Sequence, residues 1–342
     1  MLVQRRFPVH LVFKFALPIL IFSSLWAVFV FGLYAYAGLH FLRTPFLPIA
    51  TLGTAVAFYV GFKNNAAYER FWEGRKIWGG VVNASRTWGN YVVNYVRPGD
   101  QSEEAQQLRH ALIHRHLAWV NALRLQLRKT SRLHNKPVPT TRRRLENHAE
   151  VMRNDWDKEL SGFLPAEELA QVSAFANPAT QLLVKQGQTL AEVLREEKMD
   201  LFHQIAMMEV IQEFYALQGK CERIKNTPFP RQYAEYSRIF TRVFVVLTPF
   251  GLLDVFAKQI DIAQTALDTI APVVPMVAAS ALVSWIFFTM EGIGDSSEDP
   301  FERSMNDVPM NAVCRTIETD LRQMLGETDL PGKEQPADGI LY

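Results

Sequence analysis

Residues 15–39 carry no charged side chain. A helix that crosses a bilayer needs about 20 predominantly apolar residues, and backbone polar groups in lipid must be satisfied within the segment itself. This run therefore restricts its part of the chain to a membrane-spanning helix. Residues 44–62 and 269–290 are equally free of charge, and uncharged runs of this length are rare in soluble cores. Residues 243–256 are a weaker fourth, bounded early by Arg242 and interrupted by Asp254. They are counted as a span because an uneven number of crossings would leave the flanking charges inconsistent, and their Pro249 is tolerated in membrane helices. The first run is too long for the apolar core of a cleavable signal and reads as a retained anchor.

Bulk composition conceals this segregation: the 342 residues are 49% hydrophobic and 21% charged, with a net charge of +1. Near-neutrality argues against nucleic acid as a partner. Cys221 and Cys314, the only cysteines, make neither a disulfide framework nor a zinc ribbon, and suit reduced thiols in a cytoplasmic compartment. Arg5, Arg6 and Lys14 precede the first span, and Lys63, Arg70, Arg75 and Lys76 follow the second. The first connector holds only Arg43; the last holds Lys258 beside Asp261 and Asp268. Basic flanks stay inside, so both termini and the central insert are expected in the cytoplasm of a cell-membrane protein.

The insert, about residues 64–236, has helical periodicity and no strand pattern. Residues 68–96 read as the second span continued into water, ended at Pro98-Gly99-Asp100. Residues 108–129 form the next helix. Pro137-Val138-Pro139 breaks the chain, and Thr140-Thr141 open a basic helix through Arg142, Arg143 and Arg144. Pro165 opens another, with Glu167 and Glu168 in the first turn where the helix dipole favours acids. Asn177-Pro178 starts a short one, and residues 190–220 are expected as a single long helix. The tail beyond Gly326 reads as disordered or loosely attached.

Two stripes mark the second span. Gly53, Ala57 and Gly61 recur every four residues, a spacing that lets helices approach closely in lipid. Ala50, Thr54, Phe58 and Phe62 lie one position on, about 100° around the helix. If copies gathered round an axis by the small stripe, rings of Phe would make a hydrophobic constriction that gates by dewetting. Aromatic edges carry partial positive charge and would tolerate a passing anion. The alternative is that both Phe rings face lipid or a neighbouring helix.

The segment that follows reads Gly61-Phe62-Lys63-Asn64-Asn65-Ala66-Ala67-Tyr68-Glu69-Arg70-Phe71-Trp72-Glu73-Gly74-Arg75. It resembles the bestrophin family in its bacterial form, as do Asp299-Pro300-Phe301 with Asn306-Asp307-Val308-Pro309 after the last span, and Asn177-Pro178 in the insert. The resemblance covers nearly the whole chain in order and spacing. It implies an all-α fold of four transmembrane helices plus a cytosolic helical domain, assembled as a ring, a homopentamer with one axial pore. Its implied divisions are residues 1–64 (first two spans and pore neck), 65–236 (cytosolic domain), 237–292 (last two spans) and 293–342 (C-terminal segment and tail). The family's neck positions fall on Thr54, Phe58 and Phe62, the stripe already singled out by periodicity; Thr54 departs from the usual bulky apolar residue and implies a wider, wetter outer ring. The inner mouth falls on Asn64, Asn65 and Glu69, and a second, cytosolic aperture on Ala179. The calcium clasp of animal relatives corresponds to residues 302–307, where acids are too few and Arg303 intrudes, so calcium activation is not expected. Asn306 and Asp307 are expected to brace the C-terminal segment.

Other candidates carry less. His110 and His114 are one helical turn apart, with His116 close by, but no Glu or Cys stands at a spacing that completes a metal site; no metal or other cofactor is predicted. Arg124, Arg128, Lys129 and residues 142–144 make a basic region that could attract anions to a cytosolic vestibule or contact lipid headgroups, but is read as a solvated face or subunit contact. Asp254 is the one acid at membrane depth and a functional candidate on that ground. No nucleophile constellation or phosphate loop gives reason to expect an enzyme. The expected function is a passive channel for small monovalent anions such as chloride, in contact with the lipid bilayer. A monovalent-cation (sodium) channel of the same architecture is the alternative, since a ring of Glu69 would favour cations. A non-conducting membrane scaffold or sensor ranks below both.

Overall fold

In the computed structural model the described residues, 1–3, 9–129, 150, 153–262, 270–302, 304 and 306–342, are almost entirely helical. The helices are α1 (Val9–Ala35), α2 (Phe46–Tyr95), α3 (Glu103–Arg128), α4 (Trp156–Leu160), α5 (Ala166–Ser173), α6 (Pro178–Arg195), α7 (Leu201–Asn226), α8 (Arg231–Asp261), α9 (Val273–Ser297) and α10 (Met310–Met324). Pairing of extended backbone among the described residues is confined to isolated bridges at Ile340, with Leu2 and with Ala337. The chain divides into two units: residues 4–69 with 229–298, and residues 1–3 with 70–228 and 299–342.

The first unit holds four stretches long and apolar enough to cross a membrane, the one on α8 included despite Asp254. Ala27, Val30 and Phe31 of α1 pack against Leu252, Leu253 and Ala257 of α8 and Met276 of α9. Ile49, Val56 and Val60 of α2 pack with Phe244 of α8. Gly53 makes this possible: a Cβ there would lie 2.7 Å from the Phe244 ring, which is itself backed by Phe287 at 4.5 Å. The close approach at Gly53 thus serves a neighbouring helix of the same chain, not the copy-to-copy contact that the small-residue stripe suggested. Gly61, on the same stripe, has nothing within 4 Å of a Cβ. Asp254 is likewise accounted for: its carboxylate accepts from Arg43 Nε at 2.8 Å and from the Phe46 amide at 3.2 Å. It thereby takes up one of the orphan donors at the start of α2. Leu17, Leu25 and Phe29 of α1 point outward, a large apolar surface suited to lipid.

In the second unit several helices start where the sequence supplies a side-chain cap, whereas α5 and α10 start after Pro165 and Pro309 without one. Ser102 accepts from Ala105 N at 3.3 Å ahead of Glu103 and Glu104 in the first turn of α3, and Asn177 accepts from Thr180 N at 3.2 Å with Pro178 opening α6, a good fit to the first helical position. The long helix expected over residues 190–220 is two helices. Asp200 accepts from Phe202 N at 2.8 Å and starts α7, and Glu197 takes φ 55° in the break; periodicity on both sides masked a competent cap between them. The core gathers Trp78, Trp88, Trp119, Leu117 and Phe214, each contributing roughly 1.5–3 kcal/mol relative to exposure. His116 sits among them, 4.6 Å from the Phe214 ring and 5.2 Å from that of Trp119.

Two of the sequence signatures meet in this unit. A Cβ on Gly74 would lie 3.2 Å from both Pro300 and Phe301, and Arg70 reaches the Ile224 carbonyl at 2.6 Å and Asp299 at 3.5 Å. Their spacing reflects packing of the Pro-Phe turn on α2. The turn is closed by Val308 N donating to the Pro300 carbonyl at 3.0 Å and by a Ser304–Asp307 hydrogen bond. Arg124 and Arg128 do not form a solvated face. Arg124 is fully buried and donates to Glu159 at 2.6 Å and to Asn311; Arg128 is buried too and reaches Asn154. Residues 142–144 lie outside the described residues, as do Thr140, Thr141, Pro137 and Arg303. The tail is not loose: Ile340 and Tyr342 are buried, Glu334 pairs with Arg153 and Arg315, and Ala312 N donates to the Tyr342 carbonyl. Its low hydrophobicity hid a set of ion pairs and strand-like contacts with residues 1–3.

Candidate conduction face on the second helix

On α2 the side chains at Leu47, Thr51, Thr54, Phe58, Phe62, Asn65 and Glu69 are all exposed. They recur every three or four residues and so share one face. Phe58 is 70% and Phe62 61% exposed, in a chain that buries Phe244 to 5% on the same unit. The two exposed rings meet edge to face, 4.7 Å between centroids at 89°, a contact worth roughly 0.5–1.5 kcal/mol. Thr54 Oγ1 donates to the Ala50 carbonyl at 3.1 Å, and Thr51 Oγ1 to that of Leu47 at 2.9 Å. With the hydroxyl protons committed to the helix backbone, the face from Leu47 to Phe62 is uncharged and largely apolar.

The charge changes beyond Phe62. Asn65 Nδ2 donates to Glu69 Oε1 at 2.9 Å, both exposed on the same face. Asn64 does not join them: its Nδ2 donates to the Met290 carbonyl at 2.8 Å, so it clamps α2 to α9. Lys63 points away from the face as well. Its Nζ is buried against Glu291 Oε1 at 2.9 Å and against Asp295, and Arg238 of α8 completes the cluster, 3.1 Å from Asp295. Lys63 and Arg238 are there matched by Glu291 and Asp295, with Glu235 also 3.0 Å from Arg238, which is how a lysine beside an apolar face is tolerated. Sequence reasoning used Lys63 only as a flanking charge and missed its partners. The available signal was Glu291 and Asp295, one helical turn apart immediately after a charge-free run.

Ala179 is fully buried in the core of the second unit at the start of α6; Thr180 and Gln181 beside it are partly exposed. His110 and His114, by contrast, gain a partner that spacing could not reveal: Glu327 lies 3.7 and 3.5 Å from their Nε2 atoms.

A profile of the bacterial and fungal bestrophin proteins matches residues 10–323. The chain is 29% identical over 313 residues to the voltage-dependent anion channel-forming protein YneE of Escherichia coli (strain K12), covering 92% of this chain and 86% of that one. It is 27% identical over 295 residues to the voltage-dependent anion channel-forming protein mll4386 of Mesorhizobium japonicum, covering 86% and 79%. Among solved structures, a bacterial bestrophin homolog from Klebsiella pneumoniae superposes with a TM-score of 0.73 at 25% identity, over 91% of this chain and 99% of that one.

Proposed function

Because the chain belongs to the bacterial and fungal bestrophin family, we propose that it is the subunit of a passive channel for small monovalent anions such as chloride, and not an enzyme. Five copies surround one axial pore in the cell membrane, each contributing the open face of α2. Thr54, Phe58 and Phe62 form the neck. Both termini and residues 65–236 lie in the cytoplasm, residues 1–64 and 237–292 carry the spans, and residues 293–342 return to the cytosolic domain. The observation that carries this reading is the pair of large aromatic side chains left exposed on an otherwise uncharged face. Rings of Phe exclude water and hold back ions unless the neck is wetted, and their edges favour anions over cations. The relatives named as anion channel-forming proteins support the same sign.

A second reading rests on Glu69. It is exposed on the same face with Asn65 beside it, and a ring of such carboxylates at a mouth would favour monovalent cations. Purified protein in a planar bilayer under a KCl gradient separates the two. The anion reading expects a reversal potential near the chloride equilibrium value, and one near the potassium value would overturn it. Absence of conductance in both the natural protein and the Phe58→Ala, Phe62→Ala double variant would leave only a non-conducting membrane scaffold or sensor. The pentamer is tested by crosslinked mass in detergent, where a persistent monomer would contradict it.

A further inference from the structure

The His110–His114–Glu327 cluster lies on the second unit. His110 and His114 are one turn apart on α3, with rings stacked at 3.7 Å between centroids and 19° between planes. Both Nε2 atoms address the same oxygen, Oε1 of Glu327, at 3.7 and 3.5 Å. All three donor atoms fall within 4.8 Å of one another. A charge-assisted hydrogen bond between imidazolium and carboxylate contracts to roughly 2.7–2.9 Å, and two imidazolium rings stacked on one carboxylate would repel each other. Ligand atoms around a tetrahedral zinc ion, each about 2.0–2.1 Å from the metal, stand about 3.3 Å apart. The two distances to Oε1 lie nearer the second value than the first, and a rotation that opens the stacked rings would bring both in-plane lone pairs onto one ion.

We propose that His110, His114 and Glu327 form a binding site for a zinc-class divalent transition metal, with two imidazole nitrogens and one carboxylate oxygen as ligands and a fourth position left to water. Two imidazoles with a single carboxylate select borderline ions over calcium or magnesium, which prefer all-oxygen shells. Three further observations support the site. Glu327 is placed by a helix-terminating turn: Gly326 takes φ +82°, the Gly326 amide donates to the Gln323 carbonyl at 2.9 Å and the Glu327 amide to the Arg322 carbonyl at 3.1 Å. That is the double bond pattern of a glycine-ended helix, and it fixes the backbone of the third ligand. The other carboxylate oxygen of Glu327 accepts from Arg322 Nε at 2.5 Å, the kind of outer contact that orients a metal ligand. Finally, His110 and His114 both line a cleft of about 300 Å³ bounded by residues 161–165, room enough for water at an open coordination position.

The ligand spacing hides this cluster from the sequence. Two ligands are four residues apart, but the third comes 213 residues later from the turn after α10. A bound ion would therefore tie the beginning of the C-terminal tail to α3.

The test uses the full-length protein in detergent, stripped with a chelator and titrated with zinc chloride by calorimetry, with cobalt(II) as an optical probe of geometry. The natural protein is expected to bind zinc and to give the intense visible absorption of a tetrahedral cobalt site. His110→Ala and Glu327→Gln should each weaken zinc binding by at least about ten-fold, the loss already seen for outer contacts alone, and should abolish the cobalt spectrum. The His110 side chain is 54% exposed, so that variant leaves the core untouched even if a His114 variant fails to fold. No zinc uptake by the natural protein, or uptake unchanged in both His110→Ala and Glu327→Gln, overturns the proposal.

Discussion

Lys63 Nζ lies 2.9 Å from Glu291 Oε1, with 1% and 7% of the two side chains exposed. One helical position after the exposed Phe62, the chain thus hides a full charge inside the helix bundle. Removing one member of a buried pair strands the other, at a cost of about 3–5 kcal/mol. Lys63→Met should therefore lower the thermal midpoint in detergent sharply, and Glu291→Gln should do the same. Combining them should cost less than the sum, because the two changes act on one interaction. Strict additivity in a double-mutant cycle would show that the pair is not coupled.

Phe58 and Phe62 should limit current by their bulk and dryness. Single-channel recordings are expected to show larger currents for Phe58→Ala and for Phe62→Ala, with the largest in the double variant, and no change in the sign of the reversal potential. Unchanged conductance in all three would move the constriction elsewhere.

Gly53 and Gly61 share a stripe but differ in surroundings. Gly53→Val places methyl groups against the Phe244 ring, which Phe287 prevents from retreating; overpacking of this kind costs roughly 1–3 kcal/mol. Gly61→Ala meets nothing within 4 Å in the chain itself and should leave the stability of the isolated subunit within about 0.5 kcal/mol. Thermal midpoints of the two variants give the comparison directly.

His116 gives the second unit a pH dependence. Its Nε2 lies 2.9 Å from Ser85 Oγ, whose own proton goes to the Val81 carbonyl at 2.6 Å, so Nε2 carries the imidazole proton. Nδ1 is buried with no acceptor. Burial therefore pushes the pKa from 6.5 down to about 3. The unfolded chain binds a proton that the folded one refuses, so stability rises with pH across that window. It is complete above the unfolded value and lost at about 1.4 kcal/mol per pH unit on acidification below it. Thermal midpoints measured downward from pH 6.5 should fall more gently for His116→Gln; parallel slopes would assign the acid sensitivity to other groups.

Both thiols should be silent in the folded protein. Burial pushes Cys221 up to about 12 and Cys314 up to about 11, and only a thiolate attacks an alkylating reagent. Mass spectrometry should find both unmodified by iodoacetamide under native conditions and both modified after denaturation.

What could be read in advance was whatever depends on short-range periodicity. The charge-free runs located the spans, Asn177-Pro178 marked the start of α6, and alternation of small and aromatic residues isolated the face holding Thr54, Phe58 and Phe62. Side-chain direction at the next turn was not readable. Asn64 and Asn65 are chemically identical neighbours, yet a rotation of about 100° sends one to the Met290 carbonyl and leaves the other beside Glu69. Partners from distant segments were equally hidden, as with Glu159 and Asn311 around Arg124 or Glu327 beside the two histidines. The burial of Ala179 was hidden for a related reason: motif position fixes where a helix begins, whereas burial depends on which side of its first turn meets the core.

Within the unit formed by residues 4–69 and 229–298, α2 is fastened twice. Asp254 grips Arg43 and the Phe46 amide at its start, and Lys63 and Asn64 are held by α9 about five turns further on. A piston stroke of this helix, or a turn about its own axis, would break both fastenings at once. Swinging the rings of Phe58 and Phe62 about their side-chain torsions would disturb only the edge-to-face contact between them. The least costly moving part in this half of the molecule is therefore a pair of side chains, hinged on a helix that stays still.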